Sequence, residues 1–373
     1  MDLFIFEHCW NITLTLQTAS EMNFHNFSTF LTLSIAIIFG TFSASAQTDY
    51  RVACIGFYNL ENLFDTLDTP GKNDSEFLPN GSNQYTGFVY KDKLKNLSRV
   101  ISELGTEMTP DGVAILGVAE IENRSVLEDL AAQAPLKNRN YKIVHEESPD
   151  SRGVDVAMLY NPKYFRELSH RAIPVLLDDD KGGSYYSRDI LHVTGILGGV
   201  DTLHVFVNHW PSRRGGTSSI SKRNYAASLC KKAIDSLTAL NPNVKIFITG
   251  DLNDDPVNES VKDILNAKGK TKKVKPGGLF NPMWKKYKTG DGTLTYNDSW
   301  NLFDQTIFSS AFLNKNQKGY FYHGAVVYKK PYLLNKDGRF KGSPFRTYSF
   351  GTYIGGFSDH LPVYSFFLQK IVK

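Results

Sequence analysis

Cysteine is almost missing. The chain holds three in 373 residues (Cys9, Cys54 and Cys230), with no Cys-x-x-Cys pair among them. That excludes a disulfide-stapled scaffold and a thiolate zinc site. Cys54 and Cys230 lie in apolar periodic runs and read as buried free thiols. Repeats and low-complexity linkers are absent, which excludes solenoids and arrays. Long apolar runs are missing too: Leu31 to Phe42 is too short and wrongly flanked to span a membrane. Finally, residues 1–46 contain no Lys or Arg.

That apolar run is followed by Ala44-Ser45-Ala46, a small-x-small cleavage signature, with Gln47 after it. Residues 1–46 therefore read as a secretory signal peptide, cleaved near Ala46-Gln47. The missing basic n-region suggests a true start at Met22. The expected location is outside the cell, in the periplasm or at the envelope. The remainder, 47–373, is expected to form a single catalytic domain. Losing Asp2, Glu7 and Glu21 raises the net charge from +4 to +7. A basic secreted chain suits a polyanionic substrate.

Alternating or continuous apolar runs predict strands at Arg51 to Tyr58, Val113 to Ala119, Tyr141 to Val144, Val154 to Tyr160, Ile190 to Leu197, Leu203 to Asn208, Val244 to Thr249, Phe303 to Phe308 and Val363 to Leu368. Helical stripes run from Tyr90 to Leu104 and from Ser219 to Leu240, the second on Ala226, Leu229, Ala233, Ile234, Leu237 and Leu240. Many strands with a few long helices predict an α/β fold of two packed sheets with helices outside. Lys268 to Gly292, rich in lysine with Trp284 and Tyr287 interleaved, reads as a solvated loop or a minor nucleic-acid contact.

Polar residues able to bind metal recur where the apolar runs end. Asn59 closes FYN, Glu120 closes GVAE and His209 closes FVNH. Asp251 and Asn253 follow FITG, Asp304 sits in NLFDQTIF, and Asp359-His360 introduces the last strand. Each alone fits a capped turn. Together, at strand ends where a sheet holds loop side chains steady, they describe a site. Carboxylates and amide oxygens without thiolates suit Mg²⁺, with Mn²⁺ or Ca²⁺ as substitutes. Two histidines beside them supply an acid and a base, the needs of phosphate-ester hydrolysis.

In these motifs the sequence resembles the endonuclease/exonuclease/phosphatase family, from FYNLEN to GGFSDHLPVY, as a secreted bacterial-type member. The resemblance implies a four-layered α-β-β-α sandwich, two packed mixed β-sheets flanked by helices, and divalent-metal-dependent cleavage of phosphate esters. It implies metal contacts from Asn59, Glu120, Asp251, Asn253 and Asp359. It makes His360 the general base, Asp304 its orienting carboxylate, and His209 the group at the leaving oxygen. The abasic-site enzymes of the family lack that last histidine. Asp251 and Asn253 also face water and phosphate. Glu61 sits where some members place an extra acid and others none. Asp155 is the candidate to orient His209, with an ordinary strand charge as the other reading.

Arg152, Arg213 and Arg214 are candidate phosphate ligands, because a guanidinium binds phosphate oxygens in a planar fork. Solvated arginines in a basic loop are the equal alternative. Net charge and these arginines favour a nuclease. The rival readings are a phosphatase or phosphodiesterase of small phosphorylated molecules or phospholipids, and a non-catalytic binding protein. No stable protein partner is expected, so the chain is expected to be a monomer.

Overall fold

The computed structural model describes residues 49–179 and 182–371. The signal-peptide reading and the Ala46-Gln47 junction lie outside them. Thirteen strands make two large sheets. The first sheet holds β1 (Tyr50–Leu63), β2 (Ile115–Ile121), β3 (Lys142–His145), β4 (Asp155–Tyr160), β12 (Phe321–Val327) and β13 (Val363–Lys370), in the order β12-β13-β1-β2-β4-β3. The second holds β5 (Phe165–Ile173), β6 (Ile190–Leu197), β7 (Asp201–His209), β8 (Lys245–Asp251), β9 (Ala267–Lys268), β10 (Leu279–Phe280) and β11 (Asp304–Ser309), in the order β9-β10-β11-β8-β7-β6-β5. Both are mixed: β1 runs parallel to β2 and β7 to β8, while their other neighbours are antiparallel.

Alternation along the strands sets the layers. Ala53, Ile55 and Phe57 of β1 point inward and meet Val205, Val207, Phe247, Phe308 and Phe367 between the sheets. Cys54 and Tyr58 point outward, under α1 (Gly87–Glu103) and α2 (Arg124–Ala131). Phe206, Ile246 and Ile248 likewise point outward, under α3 (Ser218–Leu240). The result is the expected four layers. Helix α1 begins at Thr86, whose side chain caps the Val89 N–H, and it buries Val89, Leu94, Leu97, Val100 and Ile101. Cys54 and Cys230 are both buried and unbridged. Among the described residues no helix is long and apolar enough to cross a membrane.

Three expectations need correction. The buried face of α3 is rotated: Arg223, Ala226, Ala227, Cys230 and Ile234 are inside, whereas Leu240 is 87% exposed. A buried arginine on that face recruits an acidic loop, described below, and an apolar stripe does not reveal it. Lys268 to Gly292 is no plain loop. It contains β10 and α4 (Met283–Lys288), and Met283 is buried between the sheets. Strands β5 and β12 and helix α2 lie in segments where no element was expected, because solvent-facing residues interrupt their patterns.

Candidate active site

Strand register builds the site. Asp251, the last residue of β8, lies level with His209 of β7 on one side and Asp304 of β11 on the other. Adjacent strands lie about 4.8 Å apart, so three functional side chains form one row across the second sheet. Gly250 makes this possible. Its φ is +152°, and a Cβ there would stand 2.1 Å from the Asn208 carbonyl oxygen. Across the gap the first sheet brings Asn59 from β1 and Glu120 from β2. His360 comes from the turn before β13.

The hub is Asp251 Oδ2. Asn59 Nδ2 donates to it at 3.3 Å, His209 Nε2 lies 3.6 Å away and His360 Nε2 3.8 Å. Glu120 Oε1 is 3.7 Å from His209 Nε2, and Asp359 Oδ1 is 3.9 Å from His360 Nε2. His360 Nδ1 meets Asp304 Oδ2 at 2.7 Å with Asp304 fully buried. That contact makes Nδ1 the donor and leaves Nε2 as the working nitrogen. Ser358 locks the turn: its Oγ donates to the Asn59 carbonyl at 2.8 Å and accepts from the His360 N–H at 3.1 Å.

Burial and crowding shift the titrations. Burial raises the Asp251 carboxyl to about 7, with Asp304 and Glu120 adding to the rise and His360 opposing it. His360 is held well above the ordinary imidazole value: burial works against its charge, but the carboxylates of Asp304, Asp251 and Asp359 overcome it. His209 is pushed well below by burial, then by the cations Arg188, Arg152 and His360. The protein alone therefore keeps its proton on His360 and leaves His209 neutral.

The remaining candidates divide. Asn253, in a left-handed conformation (φ 50°), donates Nδ2 to the Trp210 carbonyl at 2.9 Å, and its N–H caps Asp251 Oδ1 at 2.9 Å. Glu61 (φ 49°) is buried and accepts from Arg346 Nε at 3.1 Å and from the Thr347 N–H at 2.7 Å. Arg152 is half-exposed, with Nε 3.6 Å from Asp150. Arg214 lies in the short turn Arg213–Gly215.

Two expectations fail on geometry. Asp155 does not orient His209: it belongs to the other sheet, and its carboxylate binds His145 Nε2 at 2.9 Å and the Ser148 N–H at 2.9 Å. His209 Nδ1 is buried with no hydrogen-bond partner among the described residues. Arg213 does not face open solvent with free donors. Its guanidinium reaches the Asn253 carbonyl at 3.0 Å, Asp255 at 3.1 Å and Asn258 at 2.9 Å, and lies 4.3 Å over the Phe303 ring. With Arg223, which pairs with Asp254 at 2.9 Å, it clamps the loop that carries Asp251 and Asn253.

Three basic residues escaped sequence reasoning. Arg346 bridges Glu61 and Asp359, with NH2 3.1 Å from Asp359 Oδ2. Arg188 is buried between Asp150 and the Trp210 carbonyl. Lys93 is buried on α1 and reaches Thr347 Oγ1 at 2.6 Å. The available signal was a charged residue on the apolar face of α1 and a lone arginine beside β6. Arg346 lies in no periodic run.

Buried carboxylates and imidazoles gathered at the edge of a two-sheet sandwich are the apparatus of a phosphoric ester hydrolase. The comparison of sequence with families gives the same class: the chain belongs to the Endonuclease/Exonuclease/phosphatase family, whose model matches residues 54–370. Family members are divalent-metal-dependent phosphoric ester hydrolases. No curated protein matches the sequence. Among solved structures, an endonuclease/exonuclease/phosphatase family protein from Bacteroides thetaiotaomicron is similar, at 15% identity and a TM-score of 0.50, over 87% of this chain and 100% of that one. The human Nocturnin catalytic domain with bound sulfate matches at 14% identity and a TM-score of 0.50, over 87% and 98%. TDP2 of D. rerio, complexed with a single strand DNA product, matches at 14% identity and 0.49, over 85% and 98%. At such identities the likeness concerns the fold.

Proposed function

We propose that the chain is a secreted, Mg²⁺-dependent phosphodiesterase acting on nucleic acid, with residues 47–373 as a single, monomeric catalytic domain. One observation carries the catalytic reading: two imidazole Nε2 atoms face the same buried Asp251 oxygen, and one ring is backed by the buried Asp304.

The residues fit a hard divalent cation. Glu120, Asp251 and Asp359 each offer a carboxylate within 4 Å of an imidazole Nε2 of the site, Asn59 and Asn253 offer amides, and no thiolate is among them. Burial, and after it the acidic neighbours Asp304 and Glu120, already raise the carboxyl of Asp251, and a cation would relieve the acidic crowding. When bound, the cation would neutralise phosphate charge. His360 Nε2 takes the proton of the attacking water, while Asp304 holds Nδ1–H and steadies the imidazolium. His209 Nε2 gives its proton to the leaving oxygen. Substrate loading supplies the redistribution this needs. With the carboxylates neutralised, His360 loses the field that keeps it protonated, and an anionic phosphate beside His209 offsets Arg188 and Arg152. Arg152 and Arg214 are the candidate phosphate contacts, and Arg213 holds the loop that follows Asp251.

The nuclease reading rests on the mature charge of +7 and these arginines. A panel of plasmid DNA, linear DNA, RNA, bis-p-nitrophenyl phosphate, inositol phosphates and sphingomyelin, each with and without Mg²⁺, tests it. Mg²⁺-dependent cleavage of nucleic acid is expected. Turnover confined to inositol phosphates or sphingomyelin would replace the nuclease with the phosphatase or phospholipid reading.

A further inference from the structure

Ten described residues other than glycine have positive φ. Nine are Asn, Asp, Glu or Gln, and Glu61, Glu120 and Asn253 among them stand at the active site. The tenth is Phe350, at 49°. A bulky side chain in that region is strained. Phe350 and Gly351 (φ 75°) form the two-residue turn of a hairpin that pairs Tyr348–Ser349 with Thr352–Tyr353. Such a turn, positive at both positions, prefers Asn followed by Gly. This chain builds a similar turn elsewhere with Asn297 and Asp298, at 50° and 57°. The fold thus has an ordinary solution and does not use it at 350. Burial gives no compensation, because Phe350 is 84% exposed.

The hairpin springs from Arg346 and Thr347, the two residues that grip Glu61, and Arg346 also holds Asp359. Three residues separate Phe350 from Arg346, four steps of backbone, so the two lie within about 14 Å along the chain. The Phe340 ring stands 5.9 Å from that of Phe350, tilted by 40°. Lys336, Arg339 and Lys341 are exposed on the same loop, with Arg339 5.7 Å over Phe340.

We propose that Phe350 and Phe340 are a stacking platform for the bases of a single-stranded nucleic acid, whose phosphates run along Lys336, Arg339 and Lys341. Exposed rings set among cations bind single strands without reading sequence, since every base has a π-face. The proposal deepens the nucleolytic reading and rests on it. A lipid surface is the competing occupant, but two rings broken up by three cations suit an alternating chain of bases and phosphates better than a continuous apolar layer.

The test measures binding of a fluorescein-labelled 12-nucleotide thymidylate in EDTA, by anisotropy, with melting temperatures alongside. Phe350→Asn and Phe340→Ala should each weaken binding about tenfold, and Phe350→Trp should stay within about twofold of the parent. Phe350→Asn should melt no lower than the parent, because asparagine relieves the turn. The proposal is overturned if Phe350→Asn binds as the parent does, or if it melts lower, which would make Phe350 structural. Loss of binding to phosphatidylserine vesicles with oligonucleotide binding intact would also overturn it, in favour of a membrane contact. A parent that binds the oligonucleotide but hydrolyses no bis-p-nitrophenyl phosphate with Mg²⁺ supports the platform and sinks the phosphodiesterase reading, so the two failures are distinguishable.

Discussion

Asp251 Oδ2 gathers the amide of Asn59 and both imidazoles within 4 Å, and its carboxyl titrates at about 7. Proton and cation compete for that oxygen. Mg²⁺ should therefore bind about tenfold more weakly at pH 6 than at pH 8, as measured by calorimetric titration. Equal affinities would remove Asp251 from the metal site. His360 owes its raised basicity to carboxylates, Asp304 first among them. Asp304→Asn should lower the His360 pKa, read by NMR of the ring protons, and reduce kcat by about 10²-fold or more. An unchanged His360 titration would contradict the orienting role.

At the scale of elements, the loops matter more than the strands that carry them. Arg213 joins the end of β7 to the loop after β8 through Asn253, Asp255 and Asn258. Arg213→Ala should cost about 2–3 kcal/mol, leaving buried acceptors unpaired, and Arg213→Lys should not rescue it, because an ammonium cannot span the same acceptors. Chemical denaturation reads both, and an unchanged midpoint would free Arg213 for substrate. On β6, His192 is stacked on Phe206 at 4.3 Å, accepts from Arg171 at Nδ1 and meets His204 through Nε2. Burial lowers it to about 4, with His204 and Arg171 adding to the effect. The unfolded chain thus binds this proton near 6.5 and the folded chain only near 4. Stability is full above pH 6.5 and falls as pH drops toward 4, by on the order of 3 kcal/mol. His192→Phe should flatten that stretch of the stability profile. The strand ends near Glu120, His209 and Asp251 were legible in the sequence because apolar runs stop abruptly there, whereas β1 does not end at Asn59 but continues to Leu63 across a shift of register. The clamps were not. Arg346 meets Glu61 across 285 residues, and a run of apolar residues tells neither which sheet a strand joins nor which way Asp155 turns.

For the whole molecule, two sheets packed face to face bring residues from both ends of the chain to one edge. The pattern of strands and helices foretold the four layers. It missed β5, β12 and α2, whose solvent faces blur the period. The central claim is that His209 and His360 act as a pair on a phosphate ester held at a divalent cation. The most direct measurement is Mg²⁺-dependent hydrolysis of bis-p-nitrophenyl phosphate by the parent, His209→Ala and His360→Ala, each with and without EDTA. Activity should vanish in EDTA, return with Mg²⁺, and fall by about 10²-fold or more in each variant. Full activity in EDTA, or parental turnover in either variant, would contradict the account.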